Sequence, residues 1–544
     1  MSHGTCGLCV RHMAWRMAPA LDIQTCAKEG RRGQTGKLAR QSIIFALQNE
    51  GIDHLTNKNV RDEGQGQEIG EAIYFSMHLC TEAAVTRRRL LLLLLLLVTC
   101  SCLSARERSN SSSSSSRRVV RHLPGFDGAL PFELETGYVE VDRIAGVRLF
   151  YYFIRSESSP ADDPLLLWLT GGPGCSAFSG LVYEVGPLTF DVHGHGHGQL
   201  PRLLYKPESW TKRTNVIFLD SPVGTGFSYA DTDAGFRTGD TIAVHHILVF
   251  LNNWFQEVHP DFLSNPLYIA GDSYSGMIVP AVTFGIATSS PKPSLNLKGY
   301  LLGNPVTDHN FDAPSKIPFA HGMGLISDQL YQAYKKSCSV KHNTQQQSCV
   351  KDIYGNHILE PYCTFASPHN PRIDKPFTSG VRQILQLQDF HLSEISSECR
   401  TAEYTMSRIW ANNDTVREAL GIHQGTVPSW QRCNYDILYS YDIKSSVRYH
   451  LDLTTRGYRS LIYSGDHDMI IPFIGTQAWI RSLNFSVVDE WRPWFVDGQV
   501  AGYTRSYSNN LTFATVKGGG HTAPEYMPKQ CLAMLARWVS GNPL

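Results

Sequence analysis

The sequence predicts an α/β fold in which a mostly parallel β-sheet carries helices on both faces. Six short apolar runs each end in a loop rich in Gly, Asp, Ser or His, and helical stretches such as "GMIVPAVTFGIA" lie between them. Continuous apolar runs are typical of strands buried on both faces, which are usually parallel. The six runs are Pro164–Gly172, Thr214–Pro222, Pro266–Gly276, Leu297–Pro305, Arg459–Pro472 and Leu511–Pro528.

The composition and net charge of the chain argue against two classes of partner. The chain has 544 residues, 42% of them apolar, and its 49 basic and 49 acidic residues give a formal net charge of zero. This apolar content is sufficient for a large core. A neutral balance does not favour nucleic acid or an anionic membrane surface as a partner.

The N-terminal part contains a secretory signal. Residues Arg87–Ala105, "RRRLLLLLLLLVTCSCLSA", have a basic head, a leucine core and a small-residue end, and the apolar core is too short to span a bilayer. Because Met77 would start a signal peptide of ordinary length, we interpret residues 77–105 as the signal and residues 1–76 as an over-long gene model. The alternative is a genuine extension, with the leucine run as an internal anchor. A secreted or vacuolar protein without a stable membrane anchor is therefore expected.

The mature chain is expected to form one domain with an inserted cap. The polar, serine-rich residues 106–121 predict a disordered spacer, so the folded domain is predicted to span residues 122–544. Residues 308–456 break the strand and helix rhythm and contain most of the remaining cysteines, which predicts a lid insertion. After the signal, seven cysteines remain; six could form three disulfides in an oxidising compartment and leave one free.

Three polar residues follow three of the predicted strands in the order of an α/β-hydrolase triad. Ser273 lies in "GDSYSG", Asp468 in "GDHD" and His521 in "GGGH". In such a triad the histidine takes the proton of the serine, and the aspartate orients the histidine. The backbone N–H of Tyr274, which follows the serine, and that of Gly172, in "LTGGPGCS", are the candidate oxyanion donors.

Five motifs together resemble the serine carboxypeptidase family: "WLTGGPGCS", "FLDSPVGTGFSY", "GDSYSG", "SGDHDMIIP" and "GGGHTAPEYMP". The similarity runs from about His122 to the C-terminus. It implies an α/β-hydrolase fold with a cap, the triad and oxyanion roles given above, and no cofactor. It also implies the three disulfides Cys175–Cys433, Cys338–Cys349 and Cys363–Cys399.

The resemblance gives the acidic neighbour of Ser273 a role in binding. In the family's peptidases, a Glu before the serine, an Asn in W-L-N-G-G-P-G and a second Glu in an E-x-G-P stretch bind the terminal carboxylate of the substrate. Glu184 matches the second Glu, while Asp272 and Thr170 replace the other two residues, beside Gly171. Two facing carboxyls must share a proton because like charges raise each other's pKa. These replacements resemble the plant serine carboxypeptidase-like acyltransferases, which transfer an acyl group from a 1-O-glucose ester to an alcohol or amine.

Three functions remain open on the sequence. The leading one is acyl transfer, with a small-molecule donor and acceptor as partners. The second is a carboxypeptidase acting on peptide C-termini, and the third is a silent binding protein, which the intact triad disfavours. Sequons at Asn413, Asn484 and Asn510 predict glycosylation. The "HGHGHG" stretch, 193–198, predicts a flexible loop rather than a metal site.

Overall fold

The computed structural model of the chain describes residues 115–192, 199–289, 293–337, 353–360 and 400–544. Fifteen strands are named within these residues, and eleven of them form one sheet in the order β1-β2-β3-β7-β4-β9-β10-β12-β15-β14-β13. The strands are β1 (Ser115–Val120), β2 (Leu134–Asp142), β3 (Val147–Ile154), β4 (Leu165–Leu169), β5 (Leu188–Phe190), β6 (Leu203–Tyr205), β7 (Asn215–Leu219), β8 (Thr238–Gly239), β9 (Leu267–Asp272), β10 (Leu297–Gly303), β11 (Tyr439–Ser440), β12 (Arg459–Gly465), β13 (Val487–Val496), β14 (Gln499–Tyr507) and β15 (Leu511–Val516).

The six predicted strands form the parallel centre of the sheet. Strands β7, β4, β9, β10, β12 and β15 are adjacent, and each pairs in parallel with the next. Strands β1 to β3 extend one edge in antiparallel pairs, and β14 and β13 extend the other. The predicted α/β-hydrolase fold class is confirmed.

Helices cover both faces of the sheet. Leu165, Leu167 and Leu169 of β4 join one apolar cluster, and Leu166 and Trp168 join the other, as the alternation of a strand requires. The helices are α1 (Asp240–Asn253), α2 (Ser275–Thr288), α3 (His309–Gly322), α4 (Asp328–Ser337), α5 (Arg400–Ala411), α6 (Asp414–Leu420), α7 (Val447–Thr455), α8 (Phe473–Ser482), α9 (Ala523–Tyr526) and α10 (Pro528–Val539). Helices α1, α2, α7 and α8 contribute to the first cluster, and α5, α6 and α10 contribute to the second.

The ordered domain begins earlier than the sequence predicted. Strand β1 occupies residues 115–120, inside the predicted spacer 106–121, and pairs with β2 from Ser115 opposite Val139 to Val120 opposite Leu134. An edge strand is held by backbone hydrogen bonds and tolerates polar side chains. The polar composition therefore concealed the strand.

The predicted insertion 308–456 is also less separate than expected. Trp410 on α5 and Trp430 are fully buried in the main apolar cluster, and Trp410 stacks on Phe178 with ring centroids 4.9 Å apart. Residues 400–456 thus contribute to the core of the domain. A separate small apolar cluster joins Ile317, Phe319 and Ile358 of the insertion to Met469, which lies outside it, after β12.

One predicted disulfide lies within the described residues. Cys175 is bonded to Cys433, and the bridge joins the loop after β4 to a segment 258 residues away. Two backbone hydrogen bonds flank it: Ser176 N–H donates to the Arg432 carbonyl at 2.7 Å, and Asn434 N–H donates to the Gly174 carbonyl at 2.8 Å. The buried Cys531 is a free thiol. The predicted pairs Cys338–Cys349 and Cys363–Cys399 lie outside the described residues.

Three further sequence predictions concern residues outside the described ranges. They are the extension 1–76, the signal segment 77–105 and the "HGHGHG" stretch at 193–198. Within the ranges that are described, no helix is both long enough and apolar enough to cross a membrane, and no three His, Cys, Asp or Glu side chains are grouped as a metal site would need.

The Trp-rich segment near Trp491 forms the β13–β14 hairpin, where Trp491 stacks on Tyr503.

Removing the Cys175–Cys433 bridge should destabilise the fold. In the chain-entropy model, a cross-link across so long a loop lowers the conformational entropy of the unfolded chain, which corresponds to about 5 kcal/mol of stability. We therefore expect the Cys175→Ala/Cys433→Ala variant to lose roughly 3–5 kcal/mol of unfolding free energy, measured with denaturant and without reductant.

The Cys531→Ala variant is the control, because it removes a buried thiol that is in no bridge. It should keep the Cys175–Cys433 cross-link on a non-reducing peptide map. Equal unfolding midpoints for the wild type and the double variant would contradict the prediction.

Candidate active site

Ser273 lies on a sharp turn between β9 and α2. Its φ angle is +53°, a left-handed conformation that non-glycine residues adopt only where the surroundings enforce it. Its N–H donates to the Gly303 carbonyl at 2.9 Å, and its own carbonyl accepts from Val306 N–H at 2.9 Å. A Cβ on Gly171 would approach the Ser273 Cβ to 2.6 Å, so only glycine fits beside the turn.

The structure brings Ser273, His521 and Asp468 together from three separate strand ends. His521 Nε2 lies 2.8 Å from Ser273 Oγ, and His521 Nδ1 lies 2.9 Å from Asp468 Oδ2. Burial lowers the pKa of His521, but the charge and hydrogen bond of Asp468 more than offset it, so the pKa is raised overall. An imidazole so placed can accept the serine proton and hold the resulting charge against the aspartate.

Asp468 is fixed by donors that sequence reasoning did not assign. Asn304 Nδ2 donates to Asp468 Oδ2 at 2.7 Å, and the N–H groups of Ile470 and Ile471 donate to the same carboxylate at 2.7 and 3.2 Å. Asn304 also accepts from Gly465 N–H at 3.1 Å and has a φ of +43°. Its position directly after the apolar run "LKGYLLG" was the available signal, since polar residues at strand ends form the sites of such folds.

The loop after β4 lies against the backbone of the residue that follows Ser273. A Cβ on Gly171 would come within 2.9 Å of the Tyr274 nitrogen, and Gly171 N–H donates to Asp272 Oδ1 at 3.0 Å. Gly172 has a φ of +125°, which favours glycine. The structure thus places Gly172 and Tyr274, the two predicted oxyanion donors, on neighbouring backbone segments.

Glu184 and Asp272 form a buried carboxyl pair beside the triad. Burial raises the pKa of Asp272 to about 6 and that of Glu184 well above its ordinary value, and the charge of Asp272 raises the latter further. Among the described residues, Glu184 Oε2 has no hydrogen-bond partner. Thr170 Oγ1 is already engaged, because it accepts from the Trp168 indole N–H at 3.2 Å.

A third acidic residue, Glu525, was not predicted. It lies in the "GGGHTAPEYMP" motif, and its charge raises the pKa of both Glu184 and Asp272. The Tyr404 phenol donates to Glu525 Oε1 at 3.1 Å, and the Thr522 hydroxyl donates to Oε2 at 2.5 Å. Arg400 Nη1 lies 3.6 Å from Glu525 Oε1, so the negative charge that Glu525 adds near the acid pair is partly balanced by an ion pair.

The predicted sequons lie away from these residues in sequence. Asn413 is the N-cap residue directly before α6, and its side chain accepts from Thr415 N–H at 3.0 Å. Asn484 and Asn510 are exposed and have positive φ angles. Their glycosylation stays a prediction.

Ser273, His521 and Asp468 form a hydrogen-bonded serine–histidine–aspartate triad at the carboxyl edge of a parallel sheet. This arrangement is typical of the α/β-hydrolase class of serine enzymes. The family is more specific. Residues 124–541 match the model of the serine carboxypeptidase family, so the chain belongs to that family.

Similar proteins share most of the chain. Serine carboxypeptidase-like 19 of Arabidopsis thaliana is 47% identical over 452 residues, covering 78% of this chain and 95% of that protein. Serine carboxypeptidase-like 13 of the same plant is 48% identical over 442 residues, covering 78% and 94%. The crystal structure of Kex1Δp, a prohormone-processing carboxypeptidase from Saccharomyces cerevisiae, aligns with a TM-score of 0.58 at 21% identity, covering 78% and 95%, and supports the fold.

The acid pair predicts an unusual effect of pH on stability. Because both carboxyl pKa values are raised in the folded state, the folded protein binds protons more tightly than the unfolded chain. Stability is therefore lost as pH rises from about 4, the unfolded value, through the folded values. We expect Glu184→Gln to raise the unfolding free energy by about 1–3 kcal/mol near pH 7 and much less near pH 4.

Glu135→Gln is the matched control. Burial raises the pKa of Glu135, but His259 and Tyr151 outweigh that effect and lower it. This variant should therefore destabilise the protein near pH 7. Thermal unfolding of both variants at the two pH values is the measurement, and a Glu184→Gln variant less stable than wild type near pH 7 would refute the argument.

Proposed function

We propose that the protein is a serine enzyme that forms an acyl-enzyme on Ser273 and transfers the acyl group from a 1-O-acylglucose ester to an alcohol or amine. The acyl-enzyme step is supported by the two hydrogen bonds that connect Ser273 to His521 and His521 to Asp468. The donors on Asp468 keep it an acceptor and fix the tautomer of the histidine.

The proposed reaction has two balanced halves. In the first, Ser273 Oγ bonds to the acyl carbon while His521 Nε2 takes the hydroxyl proton, and the ester bond to the sugar oxygen breaks as the histidine returns that proton to the leaving sugar. In the second, the acceptor hydroxyl or amine gives its proton to His521 Nε2 as it bonds to the acyl carbon. The bond between the acyl carbon and Ser273 Oγ then breaks, and His521 returns the proton to Ser273 Oγ. The N–H groups of Gly172 and Tyr274 stabilise the oxyanion in both halves.

Asp272 and Thr170 differ from the residues of the peptidase motifs, and both differences support acyl transfer over peptide cleavage. Asp272 directs one carboxylate oxygen to Gly171 N–H, and Thr170 accepts from Trp168 where the peptidases have an asparagine side chain. Thr170 has a single hydroxyl in place of the amide group that binds the peptide carboxylate in the peptidases. An acceptor held in attack geometry outcompetes water, since effective molarities reach about 10⁵ M or more.

A carboxypeptidase remains the second candidate because the acid pair itself is kept. Glu184 has a strongly raised pKa and an unpaired buried oxygen, which could donate a hydrogen bond to a substrate carboxylate at acid pH. The third candidate, a silent binding protein, would have no need of the donors that hold Asp468.

We also propose the secretory route, with the protein extracellular or vacuolar. The Cys175–Cys433 bridge supports this location because disulfides persist in oxidising compartments. The same location would make Asn413, Asn484 and Asn510 available for glycosylation.

Loss of the proposed nucleophile should abolish the chemistry. Ser273→Ala should remove covalent labelling by a serine-directed phosphonate, observed by mass spectrometry, and reduce acyl transfer by about 10⁴-fold or more. His521→Ala should cost a similar factor because the two residues act as a unit. Asn510→Gln, an exposed substitution, is the control. Full labelling of Ser273→Ala would remove the triad assignment.

Restoring the peptidase pattern should redirect the enzyme. In the Thr170→Asn/Asp272→Glu variant, the longer carboxyl and the amide donor would rebuild two hydrogen bonds to a peptide carboxylate, each about 1.5–3 kcal/mol when well formed. Blocked-dipeptide kcat/KM should rise about ten- to a hundredfold per bond, and transfer from an acylglucose should fall.

The gain should be larger near pH 5 than near pH 7, because one carboxyl of the pair must be protonated. Kinetics with both substrate types at both pH values are the measurement. If the wild type already cleaves the dipeptide as well as the variant, these positions do not select the reaction, and the carboxypeptidase is the better proposal.

A further inference from the structure

A buried carboxylate holds the side chain of the residue that follows the nucleophile. Asp240 begins helix α1 and is fully buried. Its Oδ1 accepts from the Tyr274 phenol at 2.8 Å and from the Tyr439 phenol at 2.7 Å, and its Oδ2 accepts from Ile443 N–H at 2.8 Å. One carboxylate therefore connects α1, the turn after Ser273 and the segment around β11.

The Tyr274 ring is partly buried against the apolar cluster of Leu165, Leu167 and Leu169. It makes edge contacts with Tyr439, at a centroid distance of 6.1 Å, and with Tyr441, at 5.6 Å, and the hydrogen bond to Asp240 adds a directional contact at the end of the ring. Burial and the Asp240 carboxylate raise the pKa of both the Tyr274 and Tyr439 phenols, which favours the protonated form that donates to Asp240.

The turn itself makes the orientation of Tyr274 important. The peptide that carries the Tyr274 N–H joins it to Ser273, whose backbone is in a strained conformation. A catalytic N–H must point at the developing oxyanion, and small errors in its position cost much of its effect. A Tyr274 side chain fixed at its phenol would limit the rotation of this peptide.

We propose that Asp240 is a positioning residue that orients the Tyr274 backbone N–H for the oxyanion by holding the Tyr274 phenol. This inference rests on the proposed acyl-enzyme function. Asp240 acts through Tyr274 and is not itself a catalytic residue. The Tyr439 phenol and Ile443 N–H hold the carboxylate from the other side.

The first test compares Tyr274→Phe with Tyr151→Phe. Tyr151 is buried on β3 and donates to the buried Glu135 at 2.8 Å, so both variants delete a phenol that donates to a buried carboxylate. For 4-nitrophenyl acetate, Tyr274→Phe should lower kcat about tenfold with KM nearly unchanged. The affinity of a boronic acid, which forms a tetrahedral adduct on the serine, should fall by the same factor. Tyr151→Phe should lower the unfolding temperature comparably and leave both kinetic quantities unchanged.

A second variant makes the test independent of the phenylalanine substitution. Asp240→Asn keeps the size of the side chain and weakens the same contact, so it should also lower kcat. In the Tyr274→Phe/Asp240→Asn variant the loss should equal that of the worse single variant rather than the product of both, since both act through one contact.

Two outcomes would overturn the inference. One is a Tyr274→Phe variant whose kcat and boronate affinity match those of Tyr151→Phe. The other is a double variant whose losses multiply. Phosphonate labelling of wild-type Ser273 separates this result from the proposed function: labelled wild type with unaffected variants refutes only the positioning role, whereas unlabelled wild type refutes the acyl-enzyme function itself.

Discussion

The left-handed backbone of Ser273 is the constraint on which the rest of the site depends. A serine in this conformation carries a local cost of roughly 1–3 kcal/mol, which the surrounding fold must offset. The two backbone hydrogen bonds to β10 and to Val306 provide part of the compensation. The close glycines provide the space: a Cβ at Gly271 would approach the Leu169 carbonyl to 2.3 Å, and one at Gly276 would approach the Val306 carbonyl equally closely.

The electrostatics of the site follow from this geometry. Placing Ser273 at the carboxyl edge of the sheet also places Asp272 close enough to His521 for its charge to act on the histidine, and Glu184 and Glu525 act in turn on Asp272. Asp468 is stabilised as an acceptor by four donors including His521, whereas Glu184 lacks a partner on one oxygen. The environment therefore separates two kinds of carboxyl: one that orients a histidine, and a pair whose pKa values are raised.

The sequence was most informative for the parallel strands. The six parallel strands are covered on both faces, so they appear as apolar runs, and the polar residue after each run marks the site. The antiparallel strands were not assigned: β1, β13 and β14 carry polar or mixed residues near the edges of the sheet, and β2 and β3 were missed although nearly all of their residues are buried. Asn304, Asp240 and Glu525 were not assigned because a single polar residue gains its role only from contacts distant in sequence.

Acyl transfer and hydrolysis share one intermediate and differ in the few side chains that decide which molecule binds beside it. Both reactions pass through the same acyl-serine, so the triad distances are equally suitable for either. What differs is which molecule lies beside the acyl carbon when the sugar or peptide leaves. In the function proposed above, Asp272 accepts from Gly171 N–H and is therefore held on its own loop rather than on a peptide carboxylate. That function changes which molecule is bound beside the acyl carbon and keeps the acylation chemistry of the triad.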